Sequence, residues 1–450
     1  MARLDSIKDY SRQMLNASLA RHLQKQEQHS ASLFLGIDLG TSGCRAVVID
    51  ARREVVGKAG VDLPLPMRDG PRCEQDPALW WRAVDDVIRA LGEQLPLAHI
   101  TALAVDGTSG SVLLCDEAGT PLTPGLMYND SRAQDEARRI AAVAPPASGA
   151  HGASSGLAKL LHLQTHYQLR TARALNQAEW IAGRLTGRYD CGDENNCLKL
   201  GYDVIERRWP AWLEQLDVPT NWLPRVVPPG TAIGRVAPAA ARLLGLSEQT
   251  WVKAGTTDSI AAFLATGAND VGEAVTSLGS TLVLKVLAER PVFSPPHGVY
   301  SHRLGERWLA GGASNSGGAV LLQYFTRAEL AAMTPRLSDA PTGLDYYPLP
   351  APGERFPIND PQLAPRLTPR PADPLRFFQG MLEGMAAIEA AGYRLLAELG
   401  APYPLSVRSV GGGAANPAWS RLRERALSVS VSIPMHSDAA YGAALLAAGP

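Results

Sequence analysis

Two aspartates stand where apolar strands run into tight turns of small residues. In LFLGIDLGTSGCRAVVID, from Leu33 to Asp50, an apolar run over Leu33 to Ile37 ends in Asp38. Gly40, Thr41, Ser42 and Gly43 then turn the chain into a second apolar run from Ala46 to Ile49. Continuous apolar runs of this length bounded by glycine predict strands covered on both faces. A hairpin tip of this composition presents N–H groups and hydroxyls, which suit phosphate oxygens, and its acid suits a hydrated divalent cation. Taken alone, the turn fits an ordinary hairpin with a polar tip equally well. Asp258 closes the second such place, Ala254-Gly255-Thr256-Thr257-Asp258, ahead of a predicted helix. An acid there serves as a helix cap or as a reactive carboxylate at a site's mouth, and the two roles are compatible.

Further turns of the same kind follow. Asp106 to Gly110, DGTSG, forms a second polar tip after an apolar strand. Ser277-Leu278-Gly279-Ser280-Thr281 repeats the outline of Asp38-Leu39-Gly40-Thr41-Ser42, and both precede an apolar return strand. The acid occurs only in the first copy. This repeat predicts two related domains facing each other, each with a phosphate-binding tip. Gly311 to Gly318 predicts a glycine-rich helix start, and Gly411 to Pro417, GGGAANP, joins a strand to a helix. Glycine lets backbone approach a ligand closely, and a helix N-terminus favours an anion or a polar base edge. By itself GGGAANP is equally a tight strand-to-helix turn.

Other chemistries lack their residues. There is no GxxxxGK[ST] loop, no HRD and DFG pair and no G-x-S-x-G elbow. The nine histidines are scattered and are read as surface or core residues, and the five cysteines follow no zinc spacing. Small-residue turns and carboxylates at strand ends fit nucleotide-dependent phosphoryl transfer. With a formal net charge of -1 and 19% charged residues, no general field attracts nucleic acid or an acidic membrane. No apolar run is long enough to span a bilayer. The cysteines read as reduced thiols of a cytoplasmic protein, the absence of a general field points to small-molecule partners in a local site, and a monomer or homodimer is expected.

These turns need elements to hold them. Residues 1–32 read as a polar leader, 33–262 as an N-terminal domain and 263–450 as a C-terminal domain. A third strand is expected near Val55 to Val61. A helix follows Asp76 as cap with Pro77 at its first position and Leu79, Val84, Val87, Ile88 and Leu91 on one face. Lys159 to Leu169 and Leu175 to Leu185 predict helices. The Trp- and Pro-rich stretch up to Pro238 predicts irregular connections. Asp345 to Pro374 reads as a Pro-rich surface insertion, and Pro374 to Leu399 as a long amphipathic helix closed by Gly400.

Six ordered segments, GIDLGTSGCRAVVID, AVDGTSGSVLLCDEAG, AGTTDSIAAFLATG, SLGSTLVLK, GGASNSGG and GGGAANPAW, resemble the FGGY carbohydrate kinases from about Leu33 onward. The resemblance implies an α/β fold of two actin-like (ribonuclease-H-like) ATPase domains with a nucleotide cleft between them, and ATP and Mg2+ as cofactors. It implies Asp258 as catalytic base, with Asp38, Ser109 and Asp258 on the sugar. It further implies Asp38 and Asp258 on the metal through water. ATP is expected on Gly40, Thr41, Ser42, Gly279, Ser280, Thr281, Gly312, Gly411, Gly412, Gly413, Ala414, Ala415 and Asn416.

Within that family, D-xylulose kinases carry Gly-Gln-Met-His-Gly where this chain has Asp106-Gly107-Thr108-Ser109-Gly110, and glycerol kinases carry an Arg-Glu pair. The hydroxyl-rich loop is similar to that of the cyanobacterial and plant D-ribulose kinases. The expectation is therefore ATP-dependent phosphorylation of D-ribulose to D-ribulose 5-phosphate. A D-xylulose or pentitol kinase, or a non-catalytic actin-fold sensor of sugar and ATP, stands as the alternative.

Overall fold

The computed structural model describes residues 32–449; the leader expected over 1–32 lies, but for Ser32, outside them. The opening hairpin is β1 (Leu33–Leu39) and β2 (Gly43–Ile49), followed by β3 (Val55–Asp62). The chain then folds into α1 (Pro77–Gly92), capped by Asp76 with Pro77 at its start as the sequence implies. It re-enters the sheet as β4 (Ile100–Gly107) and, after a long excursion, as β5 (Ala232–Arg235) and β6 (Trp251–Thr257). The sheet order is β5-β6-β4-β1-β2-β3. β1, β4 and β6 run parallel, while β2 and β3 are antiparallel to their neighbours.

A second six-stranded sheet repeats the plan. Its strands are β7 (Glu273–Leu278), β8 (Leu282–Ala288), β9 (Tyr300–Leu304), β10 (Arg307–Ser314), β11 (Ser406–Val410) and β12 (Ser430–Ser432), in the order β9-β10-β8-β7-β11-β12. The β7–β8 hairpin is antiparallel, β10 extends it antiparallel, and β11 and β12 add parallel strands on the far side of β7. Thus β7, β8, β10, β11 and β12 take the places of β1, β2, β3, β4 and β6. The repeat legible in one hairpin extends over five strands, and its tips are equivalent positions of two sheets.

Each sheet has its own apolar core. The first packs Leu35, Ile37, Val48 and Leu103 against Trp80, Val84, Val87 and Ile88 of α1. The second packs Leu278, Leu284 and Val286 against Phe378, Met381, Met385 and Tyr393 of a helix over Pro374–Glu398. The last helix (Ala439–Ala448) leaves the second sheet and lies on the first. A side chain at Gly36 would collide with Ala440 O, and one at Gly442 with Ala261 O, so two glycines permit this seat. The chain's final turns therefore belong to the first sheet's packing, although the sequence places them in the second half.

The excursion between β4 and β5, joined by the strands Met67–Asp69 and Arg72–Gln75 from ahead of α1, builds a third layer, a small sheet with a helical cover. Its helices include Gln134–Val143 and Gly156–Tyr167, whereas the helix Gln177–Thr186 packs on the first sheet. The helix expected from Leu175 starts two residues later, because Arg173–Asn176 pairs as a strand with Val112–Cys115. The stretch read as irregular up to Pro238 contains short helical turns and a parallel strand pair, Cys191–Asp193 with Arg225–Val227.

The segment from Asp345 to Pro374 is not a surface insertion. Tyr346, Leu349 and Phe356 are buried, and buried Glu354 accepts hydrogen bonds from Ser314 Oγ (2.6 Å) and Asn315 N (2.7 Å). The ring of Phe356 fills the space that Gly312 and Gly392 leave vacant. β10 accordingly runs straight through Gly311 and Gly312, and the helix start anticipated there comes only at Gly318.

Candidate active site

Three parallel strands end at one edge of the first sheet, and each delivers a carboxylate. Asp38 of β1 is in register with Asp106 of β4, and Asp106 with Thr256 of β6. Asp258 follows two residues later. It is the first residue of the helix Asp258–Ala265, whose cap position belongs to Thr257, and its own Oδ1 accepts from Ser259 N at 2.5 Å. The carboxyl ends of parallel strands are where open α/β sheets bind ligands. Here they border a cavity of about 540 Å³ lined by Asp38, Gly40, Arg45, Asp258, Ser437 and Asp438.

The charge balance in this corner is unfavourable without a ligand. Burial raises Asp38 to about 6, with the charge of Asp258 adding to it. Asp106 is fully buried and lies well above the carboxylate range, first through burial and then through the charge of Asp38. Asp258 is raised too, mainly by desolvation, while the ammonium groups of Lys285 and Lys199 pull it back. Arg45 Nη1 stands 3.4 Å from Asp38 Oδ2 but is itself solvent-exposed, so it compensates little. Crowded carboxylates on a roomy cavity are a donor set for a hard cation that keeps its waters.

Beside the acids lies the Thr108–Gly110 loop. Its backbone is fixed from outside by Gln177 Oε1, which accepts from Thr108 N and Thr108 Oγ1. Lys159 Nζ donates to Gly110 O at 2.8 Å and Lys199 Nζ to Ser109 O at 3.3 Å. Lys159 is completely buried and desolvation lowers it to about 7. Ser109 Oγ is buried and has no hydrogen-bond partner among the described residues. A held loop with one unsatisfied hydroxyl is a polar group kept for something else.

The second domain supplies the other tips. Gly279-Ser280-Thr281 joins β7 to β8, and Gly318 N and Ala319 N donate to Gly279 O and Ser280 O. Gly411 turns with φ of +83°, and a side chain there would reach within 2.9 Å of Leu278 O. The structure thus brings Gly279 and Gly411 to Gly413 together at the ends of β7 and β11. Gly412 faces open space, Ala414 is buried, and Asn416 Oδ1 caps the helix Pro417–Leu427 by accepting from Trp419 N. Gly312 stands apart, inside β10 beneath Phe356. Across the two domains Lys285 of β8 donates to Ser259 O at 2.8 Å, beside Asp258, and Asn195 Nδ2 bonds both Thr256 Oγ1 and Arg303 O.

Sequence reasoning passed over Lys199, Lys285 and Asp438 as parts of this site. Lys199 lies in a short helical turn without periodicity. Lys285 alternates within an apolar strand, where a lone charge is a detectable signal. Asp438 precedes a helix and caps Ala440 N, an ordinary position until that helix docks beside Asp38.

Two six-stranded sheets with five strands in equivalent places, matching hairpin tips and carboxylates at one strand edge define a two-domain kinase of the actin-like ATPase architecture. Residues 33–265 match the N-terminal domain and residues 274–449 the C-terminal domain of the FGGY family of carbohydrate kinases, and the chain belongs to that family. It is 27% identical over 413 residues to the xylulose kinase of Escherichia coli K12, covering 87% of this chain and 84% of that protein. It is 29% identical over 451 residues to the xylulose kinase of Streptomyces rubiginosus, covering 93% and 88%. A crystal structure of a xyloylose kinase from Brucella ovis superposes with a TM-score of 0.83 at 26% identity, covering 92% of this chain and 90% of that one.

Proposed function

We propose that this kinase transfers the γ-phosphoryl group of ATP to the terminal hydroxyl of a ketopentose, with D-ribulose as the substrate and D-ribulose 5-phosphate as the product. The observation that carries the reading is Asp258 at the border of the cavity, directly after Thr257, which is in register with Gly107 where the loop with the unsatisfied Ser109 hydroxyl begins. Asp258 takes the proton of the sugar's terminal hydroxyl as that oxygen attacks phosphorus in line, and its raised affinity for protons suits it to the task. Ser109 Oγ orients the sugar. The Gly40-Thr41-Ser42 and Gly279-Ser280-Thr281 tips hold phosphates, and Gly411 to Asn416 line the nucleoside. Positioning supplies most of the rate, since the chain contributes little covalent chemistry.

Asp38 and Asp258 fit a magnesium ion held through water, because their mutual repulsion and desolvation are relieved by a cation. Such an ion, when bound, supplies charge neutralisation for the phosphates.

The loop Asp106 to Gly110, without Met-His or Arg-Glu, supports D-ribulose. The names of the relatives favour D-xylulose as a second reading. ADP release measured with D-ribulose, D-xylulose, ribitol, xylitol and glycerol separates them. The highest kcat/KM with D-ribulose supports the proposal, and the highest with D-xylulose replaces the sugar. No ADP release with any of the five overturns it.

A further inference from the structure

Outside the cleft, on the helical cover, Glu136, His162 and His166 converge. His162 and His166 are four residues apart on the helix Gly156–Tyr167, so both imidazoles share one face. Glu136 comes from the neighbouring helix Gln134–Val143. One ligand atom from each of the three lies within 4.8 Å of the other two. We propose that these residues bind a divalent transition metal of the zinc class.

Three observations support the assignment. Glu136 Oε1 and His162 Nδ1 are 3.4 Å apart. Bonds of about 2.0–2.1 Å from one tetrahedral ion span an edge of about 3.3–3.4 Å, so this spacing fits without rearrangement. His166 Nδ1 lies 2.9 Å from His162 O. A carbonyl oxygen only accepts, so the proton sits on Nδ1 and the lone pair on Nε2 is left for a metal. A backbone carbonyl on the second nitrogen is the usual support of a metal-ligating imidazole. Finally, Glu136 and His162 have side chains only 10% and 14% exposed, whereas His166 is exposed. The cluster thus has two shielded ligands and one accessible ligand.

The arginine whose charge reaches His162 is already compensated. Arg132 is held by Asp130 Oδ2 and Glu74 Oε1. Two imidazoles and one carboxylate suit zinc or cobalt rather than magnesium, which prefers an octahedron of oxygens. A metal there fastens the last turns of the helix whose first half carries Lys159 and, through it, the carbonyl of Gly110. This site would be separate from any magnesium at Asp38 and Asp258.

The test uses the full chain freed of metal by chelation, without ATP or sugar. Titration with Zn2+ by calorimetry should show one equivalent bound, and Co2+ should give the visible absorption of a four-coordinate ion. His166→Ala removes an exposed ligand and Glu136→Gln keeps side-chain shape; each should weaken Zn2+ at least about tenfold, as lost ligand support does in metal sites. Circular dichroism of each variant checks the fold. Absence of the one-equivalent binding in the parent chain, or its retention at full affinity in both variants, overturns the proposal.

Discussion

Asp38 and Asp106 stand side by side in register on two adjacent parallel strands, and burial raises both carboxyls. Neither oxygen of Asp106 has a hydrogen-bond partner among the described residues. Burial first, and then the charge of Asp38, pushes Asp106 well above the carboxylate range, while burial, with the charge of Asp258, raises Asp38 to about 6. The corner therefore carries electrostatic strain.

That strain has a pH signature. For Asp38 the folded value, about 6, lies above the ordinary 3.8. Between those values the folded state binds the proton more tightly than the unfolded state, so this contribution to stability falls as pH rises from about 4 to 6 and stays lost above. Asp38→Asn removes the cost. Urea unfolding at pH 7.5 should show the variant more stable by about 1–3 kcal/mol, with a smaller loss between pH 4 and 6 than the parent. Turnover should fall in the same protein.

Asp258→Asn should affect chemistry and not folding. Thr257 holds the helix cap position, so the change at Asp258 spares it. A positioned base contributes about two to four powers of ten, so kcat should drop about a hundredfold or more while ATP still binds. Because burial raises the Asp258 carboxyl, the acid limb of the parent's rate profile should lie above the ordinary range of an aspartate. Calorimetric ATP binding and turnover on one preparation check the first point. Near-normal turnover would move the base to Asp38.

Ser109→Ala removes the buried hydroxyl that lacks a partner. One neutral hydrogen bond is worth about 1 kcal/mol, or about fivefold in binding. The KM for the sugar should rise by that factor, and the KM for ATP should hold. An equal rise in both would place Ser109 outside the sugar site.

In the second domain, Arg423 and Glu389 form a fully buried pair, with Nε–Oε2 at 2.6 Å and Nη2–Oε1 at 2.7 Å. Ser409 and Thr276 complete the network, tying β11 and β7 to the two helices behind the Gly411 turn. Arg423→Met leaves Glu389 buried and unpaired and should cost about 3–5 kcal/mol in urea unfolding. The double replacement Arg423→Met with Glu389→Leu should recover much of that loss. A small effect of the single change would show that water reaches the pair.

Much of this molecule is local, and the sequence by itself determined that part. Apolar runs ending in Asp38, Gly279 and Gly411 mark strands and turns because backbone conformation there depends on the residues themselves. Asp76 with Pro77, and Gly400 after Pro374–Glu398, mark helix ends for the same reason. The hairpin repeat likewise announced two sheets. Tertiary structure decided what meets across long chain distances. Strand pairing sets Asp106 against Asp38, and docking of the last helix on Gly36 brings Asp438 to the same cavity. Phe356 enters the core only because Gly312 and Gly392 open space from two different elements. Glu136 meets His162 and His166 only when two helices pack side by side. Register and helix docking depend on the sum of many weak contacts between distant segments, and no short window of sequence contains that sum.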